Sequence, residues 1–106
     1  MAQSRSTWKR LERKTAKEIG GTRSGNKGVA AADAYNDWLV VECKSWSSEP
    51  SRIVAALKQA EAAATAAQVP IARIHKVGGR GDTDLVVMRW STFAKLVLEP
   101  RENSDG

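Results

Sequence analysis

The sequence is short of the two residue types that most often build metal cages and disulfide bonds. It contains one cysteine, Cys43, and one histidine, His75, among 106 residues. A single cysteine excludes an intrachain disulfide and a cysteine-based metal cage, and a single histidine excludes a histidine-based zinc site. We therefore expect a reducing compartment, a packing role for Cys43 and a place on a strand surface for His75.

Long apolar runs are also missing. No stretch approaches the roughly 20 apolar residues that cross a bilayer, and the first residues lack the apolar core of a signal peptide. These absences predict a cytoplasmic protein that does not contact membranes. A chain of this length has room for one modest core, so we expect a single domain over residues 1–106, with frayed ends at 1–5 and 99–106.

Acidic residues are outnumbered, and the imbalance is local. The chain has 17 Lys+Arg against 12 Asp+Glu, and residues 1–27 alone hold eight basic groups against Glu12 and Glu18. Such a basic segment favours a polyanion such as nucleic acid, although a solvated surface has the same composition. The candidate DNA contacts are Arg10, Arg13, Lys14, Lys17, Arg23, Ser24 and Lys27.

The first predicted element is an amphipathic helix. Ser4 or Ser6 can cap it, and Gly20-Gly21 closes it after Ile19. Its apolar stripe contains Trp8, Leu11, Ala16 and Ile19, with Thr15 alongside and Glu12 inside the stripe. The glycine-rich segment 20–28 that follows reads either as a mobile connection or as a phosphate-contacting loop.

The rest of the chain alternates strands and helices. Residues 29–34 and 38–45 predict a hairpin that turns at 35–37, and a second, alanine-rich helix runs from 48–50 to about residue 67. Strands at 71–77 and 84–90 and a last helix capped by Ser91 complete the order. A helix between the hairpin and the later strands predicts a mixed central sheet covered by helices, which is a three-layer α/β/α fold.

Two carboxylates and a lysine are expected to meet on this sheet. Because side chains alternate along a strand, Glu42 and Lys44 share one face. A turn on Asn36-Asp37 would place Asp33 opposite Val40 and diagonal to Glu42.

Burying these charges without compensation is costly, and a hard divalent cation would offset the cost. Asp33 and Glu42 offer the oxygen ligands that Mg²⁺ prefers, with the Cys43 backbone carbonyl as a third. Lys44 could orient a bound water or stabilise negative charge in phosphodiester hydrolysis. The alternative is a structural ion pair of Lys44 with Glu42 or Asp33.

The spacing Asp33-x8-Glu42-Cys43-Lys44 resembles the core motif of the PD-(D/E)XK nuclease superfamily, with Ala32 in place of the usual proline. The opening WKRLERKTAKEIGGTR resembles the first helix of small phage-encoded and archaeal Holliday junction resolvase-like members. The later segments ALKQAEAAA, VPIARIHK and LVVMRWSTF look like the remaining helix and strands, so the resemblance covers roughly residues 8–97.

The resemblance implies an αβββαβ core and Mg²⁺-dependent or Mn²⁺-dependent DNA cleavage in a bacterial or phage-infected cell. It assigns Asp33 and Glu42 to metal binding, Lys44 to catalysis, Glu12 to an accessory acidic role and Gln59 to a polar role beside the site. The implied activity is structure-selective cleavage of branched DNA, most like a Holliday junction resolvase, by a homodimer whose two sites nick paired strands. Cleavage of flaps, nicks or single strands, and a non-catalytic nucleic-acid-binding module, are the alternatives.

Four tryptophans are many for a chain of this size. Trp8 and Trp90 are expected in the core. Trp38 and Trp46 flank the Glu-Cys-Lys strand, and the sequence leaves them open between core, substrate and dimer contacts.

Overall fold

The structure is a computed structural model that describes residues 5–24 and 33–100, with the side chains of the first helix described from Lys9 onward. It is a small mixed α/β protein with helices and two small antiparallel sheets. Two compact units, Met1–Ser48 and Glu49–Gly106, divide the chain. The predicted strand residues 29–32, the ends 1–4 and 101–106, and the side chain of Trp8 lie outside the described residues.

The first unit begins with helix α1, which spans Arg5–Glu18. Its buried positions are Glu12, Thr15, Ala16 and Ile19, a spacing that puts them on one face of a helix. The amphipathic helix predicted from the sequence is therefore confirmed. Because α1 already begins at Arg5, Ser6 is not its cap, and Ser4 lies outside the described residues.

A glycine pair ends α1, as predicted. Gly20 has φ +64°, its N–H donates to the Lys17 carbonyl at 3.2 Å, and the Gly21 N–H donates to the Ala16 carbonyl at 2.8 Å. This is the Schellman pattern, which favours glycine at the left-handed position. Gly21 is required for a different reason, because a Cβ there would collide with the carbonyl oxygen of Tyr35.

The sheet of the first unit has three antiparallel strands in the order β1 (Thr22–Arg23), β2 (Ala34–Tyr35) and β3 (Val40–Val41). Strand β1 lies in the segment predicted to be a loop, so that prediction is wrong for Thr22–Arg23. The close approach allowed at Gly21 brings the chain alongside β2, where Arg23 pairs with Ala34. Helix α1 packs against β1 and β2.

The hairpin between β2 and β3 is confirmed, but its predicted register is wrong. Ala34 pairs with Val41 and Tyr35 pairs with Val40, so Asp33 does not lie opposite Val40. The physical reason is a longer turn. The Asn36 side-chain oxygen accepts the N–H groups of Trp38 and Leu39 at 2.8 and 2.7 Å, which closes a four-residue turn over 36–39.

The second unit packs helix α2 (Ser51–Ala63) against a hairpin of β4 (Ala72–Ile74) and β5 (Leu85–Val87). Leu57 and Ala72 are its buried apolar residues among those described. Helix α2 ends at Ala63 rather than near residue 67. Thr65 and Gln68 bond each other instead: the Gln68 N–H donates to the Thr65 carbonyl, and the Gln68 side chain accepts the Thr65 N–H.

The chain continues from β5 into helix α3 (Trp90–Phe93), which runs on as a π-helical turn over Ala94–Leu98. The residue that precedes α3 is Arg89, so the prediction that Ser91 caps this helix is wrong. Arg89 instead binds Glu61 of α2 through two hydrogen bonds of 2.8 and 3.0 Å. Trp90 contacts the Phe93 ring but is 39% exposed, so its predicted core position is also wrong.

The strands of the described residues form two separate sheets rather than one, and the three-layer arrangement stays a prediction. None of the helices in the described part of the chain combines the length and the apolar character needed to cross a membrane.

Candidate active site

The candidate site lies on the face of the first sheet that points away from α1. Exposure alternates from Val40 to Trp46: Val40, Glu42, Lys44 and Trp46 are exposed, whereas the residues between them are buried or half-buried. The two-residue period of a strand therefore continues beyond β3. We call the exposed set the outer face. Its members are Tyr35, Val40, Glu42, Lys44 and Trp46, with Tyr35 included because it pairs with Val40.

Asp33 is held against the same segment. Its carboxylate oxygen Oδ2 accepts a hydrogen bond of 2.7 Å from the backbone N–H of Cys43, and its own carbonyl accepts the Ser24 N–H at 3.2 Å. Extending the observed register by one pair puts Asp33 opposite Glu42. The carboxylate of Asp33 thus lies at the peptide between Glu42 and Cys43. Asp33 is therefore closer to Glu42 than the diagonal placement expected from the sequence.

Glu42 and Lys44 form an ion pair on the outer face. The Lys44 Nζ lies 3.4 Å from the Glu42 Oε2, and the two side chains are 59% and 57% exposed. An exposed pair of this kind contributes about 0–1 kcal/mol to stability. Stability alone therefore gives little reason for these two charges to be here, and both remain open to a ligand from solvent.

Cys43 turns the other way, into the core of the first unit. Its thiol is buried and lies 3.5 Å from the Thr15 Oγ1. Burial raises the pKa of the Cys43 thiol, the Thr15 hydrogen bond opposes that shift, and the negative charges of Asp33, Glu12 and Glu42 add to it. The packing role predicted for Cys43 is confirmed, and all three carboxylates act on the pKa of its thiol.

Glu12 and Arg23, which the sequence assigned to separate roles, bind each other. The Arg23 Nε donates to the Glu12 Oε1 at 2.9 Å, and the side chains are 26% and 11% exposed. This pair explains how a carboxylate is tolerated in the apolar stripe of α1. It also ties β1 to α1.

The basic surface predicted for α1 is present: Arg10, Arg13, Lys14 and Lys17 are all exposed. Lys27 lies outside the described residues. Gln59 is exposed on α2 in the second unit, whereas Asp33 and Glu42 belong to the first unit.

The candidate site offers a divalent cation two carboxylates and one backbone carbonyl. Among the described residues, no group of three or more His, Cys, Asp or Glu side chains could hold a metal ion. Mg²⁺, however, is usually held by one or two carboxylates together with waters and phosphate oxygens. Asp33 and Glu42 supply two carboxylates, and the Cys43 carbonyl accepts no hydrogen bond from the described part of the chain.

Sequence reasoning missed two features of the site. One is the role of the Asn36 side chain: the sequence placed Asn36 in the turn, but not that its side chain closes a four-residue turn and donates to the Ile19 carbonyl at 2.8 Å. The other is the Glu12–Arg23 pair. Both had a signal in the sequence: a turn-forming asparagine before Asp37, and a carboxylate in an apolar stripe that needed a partner.

Comparisons with known proteins add no relative to this description. The chain matches no protein-family model, no curated protein and no solved structure.

Proposed function

We propose that the protein is a metal-dependent, structure-selective DNA endonuclease that hydrolyses phosphodiester bonds, with a Holliday junction as the preferred substrate. The observation that carries the proposal is the hydrogen bond between the Asp33 carboxylate and the Cys43 N–H. It brings the Asp33 carboxylate to the segment that carries the exposed Glu42 carboxylate and the exposed Lys44 ammonium group. Carboxylates that hold a divalent ion, and a cation that offsets developing negative charge, are groups that metal-assisted phosphodiester hydrolysis uses.

In this proposal Asp33, Glu42 and the Cys43 carbonyl hold Mg²⁺, for which Mn²⁺ substitutes. The ion, when bound, supplies Lewis-acid polarisation of the phosphate and lowers the pKa of a coordinated water. Lys44 donates hydrogen bonds to the attacking water or to the phosphate oxygens, where its charge offsets the negative charge that develops. Lys44 can leave Glu42, its partner at 3.4 Å, for these groups because an exposed ion pair contributes little free energy.

The basic side of α1 contributes DNA binding in the proposal. Four exposed cations on one helix supply sequence-independent phosphate contacts, and Ser24 and Lys27 are assigned further phosphate contacts. The proposed fold is the three-layer PD-(D/E)XK core, and the proposed assembly is a homodimer in the cytoplasm that nicks a four-way junction at two symmetric strands. Glu12 and Gln59 are assigned supporting roles only.

The test is a cleavage panel. A labelled four-way junction, a flap, a nicked duplex, a single strand and the linear duplex arms are incubated with Mg²⁺, Mn²⁺, Ca²⁺ and chelator. We expect cleavage of the junction in Mg²⁺ and Mn²⁺ only. Lys44→Ala should bind the junction and not cleave it, while Lys58→Ala, which removes an exposed lysine from α2, should cleave as the unmodified chain does.

A non-catalytic nucleic-acid-binding module is the second candidate. The direct contact between Glu42 and Lys44, which satisfies both charges without a metal, favours it. In that case the same panel gives junction binding that is independent of Lys44, with no cleavage under any condition.

A further inference from the structure

Aromatic rings stand exposed beside the candidate active site. Trp46 is 64% exposed, Tyr35 is 43% exposed and Trp38, in the adjoining turn, is 39% exposed. Trp46 and Tyr35 belong to the outer face together with Glu42 and Lys44. Trp46 follows Lys44 by two residues, so both lie on the same side of the extended segment.

This exposure is not a consequence of a crowded core. The buried residues of the first unit are small or medium in size, and Ala34 and Cys43 fill the side that faces α1. Large rings placed on the opposite side, around a charged pair, serve contacts outside the unit.

We propose that Tyr35 and Trp46 stack on unpaired DNA bases next to the phosphate that Lys44, and the divalent ion held by Asp33 and Glu42, would bind in the proposed function. The inference rests on the proposed nuclease function for the identity of the polymer, and it deepens that function by naming the substrate class. Aromatic rings beside a cation bind single strands, because each base offers a ring face and each phosphate a charge. Lys44 is the cation here, and in the proposed function the divalent ion offsets the charges of Asp33 and Glu42.

Unpaired bases are favoured over duplex because every base inside a duplex is already covered on both faces by its neighbours. A ring on the protein gains a base only where the stack is interrupted, at a branch point, a flap or a free strand. The rings would therefore direct the site to the interruption rather than to the arms.

Bases are also favoured over a second copy of the chain. The centres of protein interfaces are depleted in charged residues, yet Glu42 and Lys44 lie between Val40 and Trp46 on the outer face. A symmetric contact through this face would bury these charges with Asp33 close by, at a desolvation cost. A nucleic acid leaves the charges in contact with phosphate and water.

The experiment measures DNA binding without cleavage. A fluorescently labelled oligothymidylate and a labelled linear duplex are titrated with Trp46→Ala, Trp46→Phe and Val40→Ala, in Ca²⁺ and in chelator. Val40→Ala is the matched control, since it removes apolar area from the same face without removing a ring.

We expect Trp46→Ala to weaken single-strand binding about tenfold and to leave duplex binding unchanged. Trp46→Phe should retain most of the affinity, and Val40→Ala should match the unmodified chain. Tyr35→Ala provides a second, independent loss. Equal effects on single strand and duplex, or no effect of Trp46→Ala on either, would overturn the inference.

Two further results keep the inference separate from the nuclease proposal. A chain that never cleaves in Mg²⁺ but loses single-strand affinity in Trp46→Ala supports the stacking surface and contradicts only the enzyme. A dimer that both Trp46→Ala and Val40→Ala convert to monomer, with single-strand binding intact, assigns the face to a second copy and overturns the stacking surface.

Discussion

Asp33 and Cys43 are joined by a 2.7 Å hydrogen bond from the Cys43 N–H to the Asp33 carboxylate. The bond fixes the carboxylate, through its Oδ2, beside the segment that carries Glu42 and Lys44. Asparagine at position 33 can still accept the Cys43 N–H, whereas alanine cannot. Comparing the two substitutions therefore separates the structural role of Asp33 from its proposed role in cleavage.

Asp33→Asn should therefore fold with nearly unchanged stability and lose cleavage. Asp33→Ala should also lose about 1–2 kcal/mol of unfolding free energy, because the part-buried Cys43 N–H then lacks its acceptor. Urea denaturation gives the free energies, and a junction cleavage assay gives the activity. Asp33→Asn with full activity would remove Asp33 from the site.

The Glu12–Arg23 pair should act as a unit. Arg23→Ala leaves a mostly buried carboxylate without its partner, and we expect a loss of about 1–3 kcal/mol. Glu12→Gln combined with Arg23→Ala should cost less than Arg23→Ala alone, since no uncompensated charge remains. Comparing the four urea midpoints in a double-mutant cycle measures the coupling, and additive losses would show that the pair does not act as a unit.

The two glycines after α1 should respond differently to substitution. Gly20→Ala places a side chain at φ +64°, with nothing near the added methyl group, and should cost about 1–2 kcal/mol. Gly21→Ala forces the chain away from the Tyr35 carbonyl and should cost more, because β1 and β2 must separate. Thermal unfolding of both variants checks this order. A Gly21→Ala chain as stable as the original would contradict the close approach.

Acid should weaken the hairpin of the second unit. Hydrogen bonds from His75 and Arg73 lower the pKa of Asp84 below its ordinary value of 3.8. A depressed pKa in the folded state means that its stabilisation is present above the unfolded pKa and is lost as the pH falls through the folded pKa. The urea midpoint of unfolding should therefore fall as the pH drops below about 4. In Asp84→Asn the midpoint should depend less steeply on pH over the same range. An unchanged slope in Asp84→Asn would assign the acid sensitivity to other carboxylates.

The Cys43 thiol should resist modification. It is buried with its pKa raised by that burial, so little thiolate forms at neutral pH. A disulfide reagent should react slowly with the native chain and rapidly in urea. Fast reaction of the native chain would show that the α1 side of the sheet is open.

Parts of this fold could be read from the sequence because local rules decide them. The stripe of α1, its glycine stop and the two hairpins follow from side-chain periodicity and turn chemistry. The hairpin register could not be read in this way, since it depends on whether Asn36 closes a two-residue or a four-residue turn. Because the Asn36 side chain accepts the Leu39 N–H, the observed register puts Asp33 opposite Glu42 rather than opposite Val40.

The candidate site likewise has features that local rules predict and features that depend on long-range contacts. Alternation in the strand placed Glu42 and Lys44 together, and their contact is confirmed at 3.4 Å. Strand β1 was missed because it depends on long-range contacts that a glycine-rich segment does not reveal. The carboxylate in the apolar stripe of α1 indicated that Glu12 needs a partner, but the sequence did not identify that partner as Arg23. The core position predicted for Trp90 was wrong for a related reason. Its place at the end of an apolar strand suggested burial, but packing between elements decides whether its ring is covered.

The most direct test of the account is single-turnover cleavage of a four-way junction in Mg²⁺ by the unmodified chain and by Glu42→Gln. The account predicts paired nicks by the unmodified chain and a loss of cleavage in Glu42→Gln, with junction binding retained. Equal cleavage by the two proteins, or binding without cleavage by the unmodified chain, would contradict it.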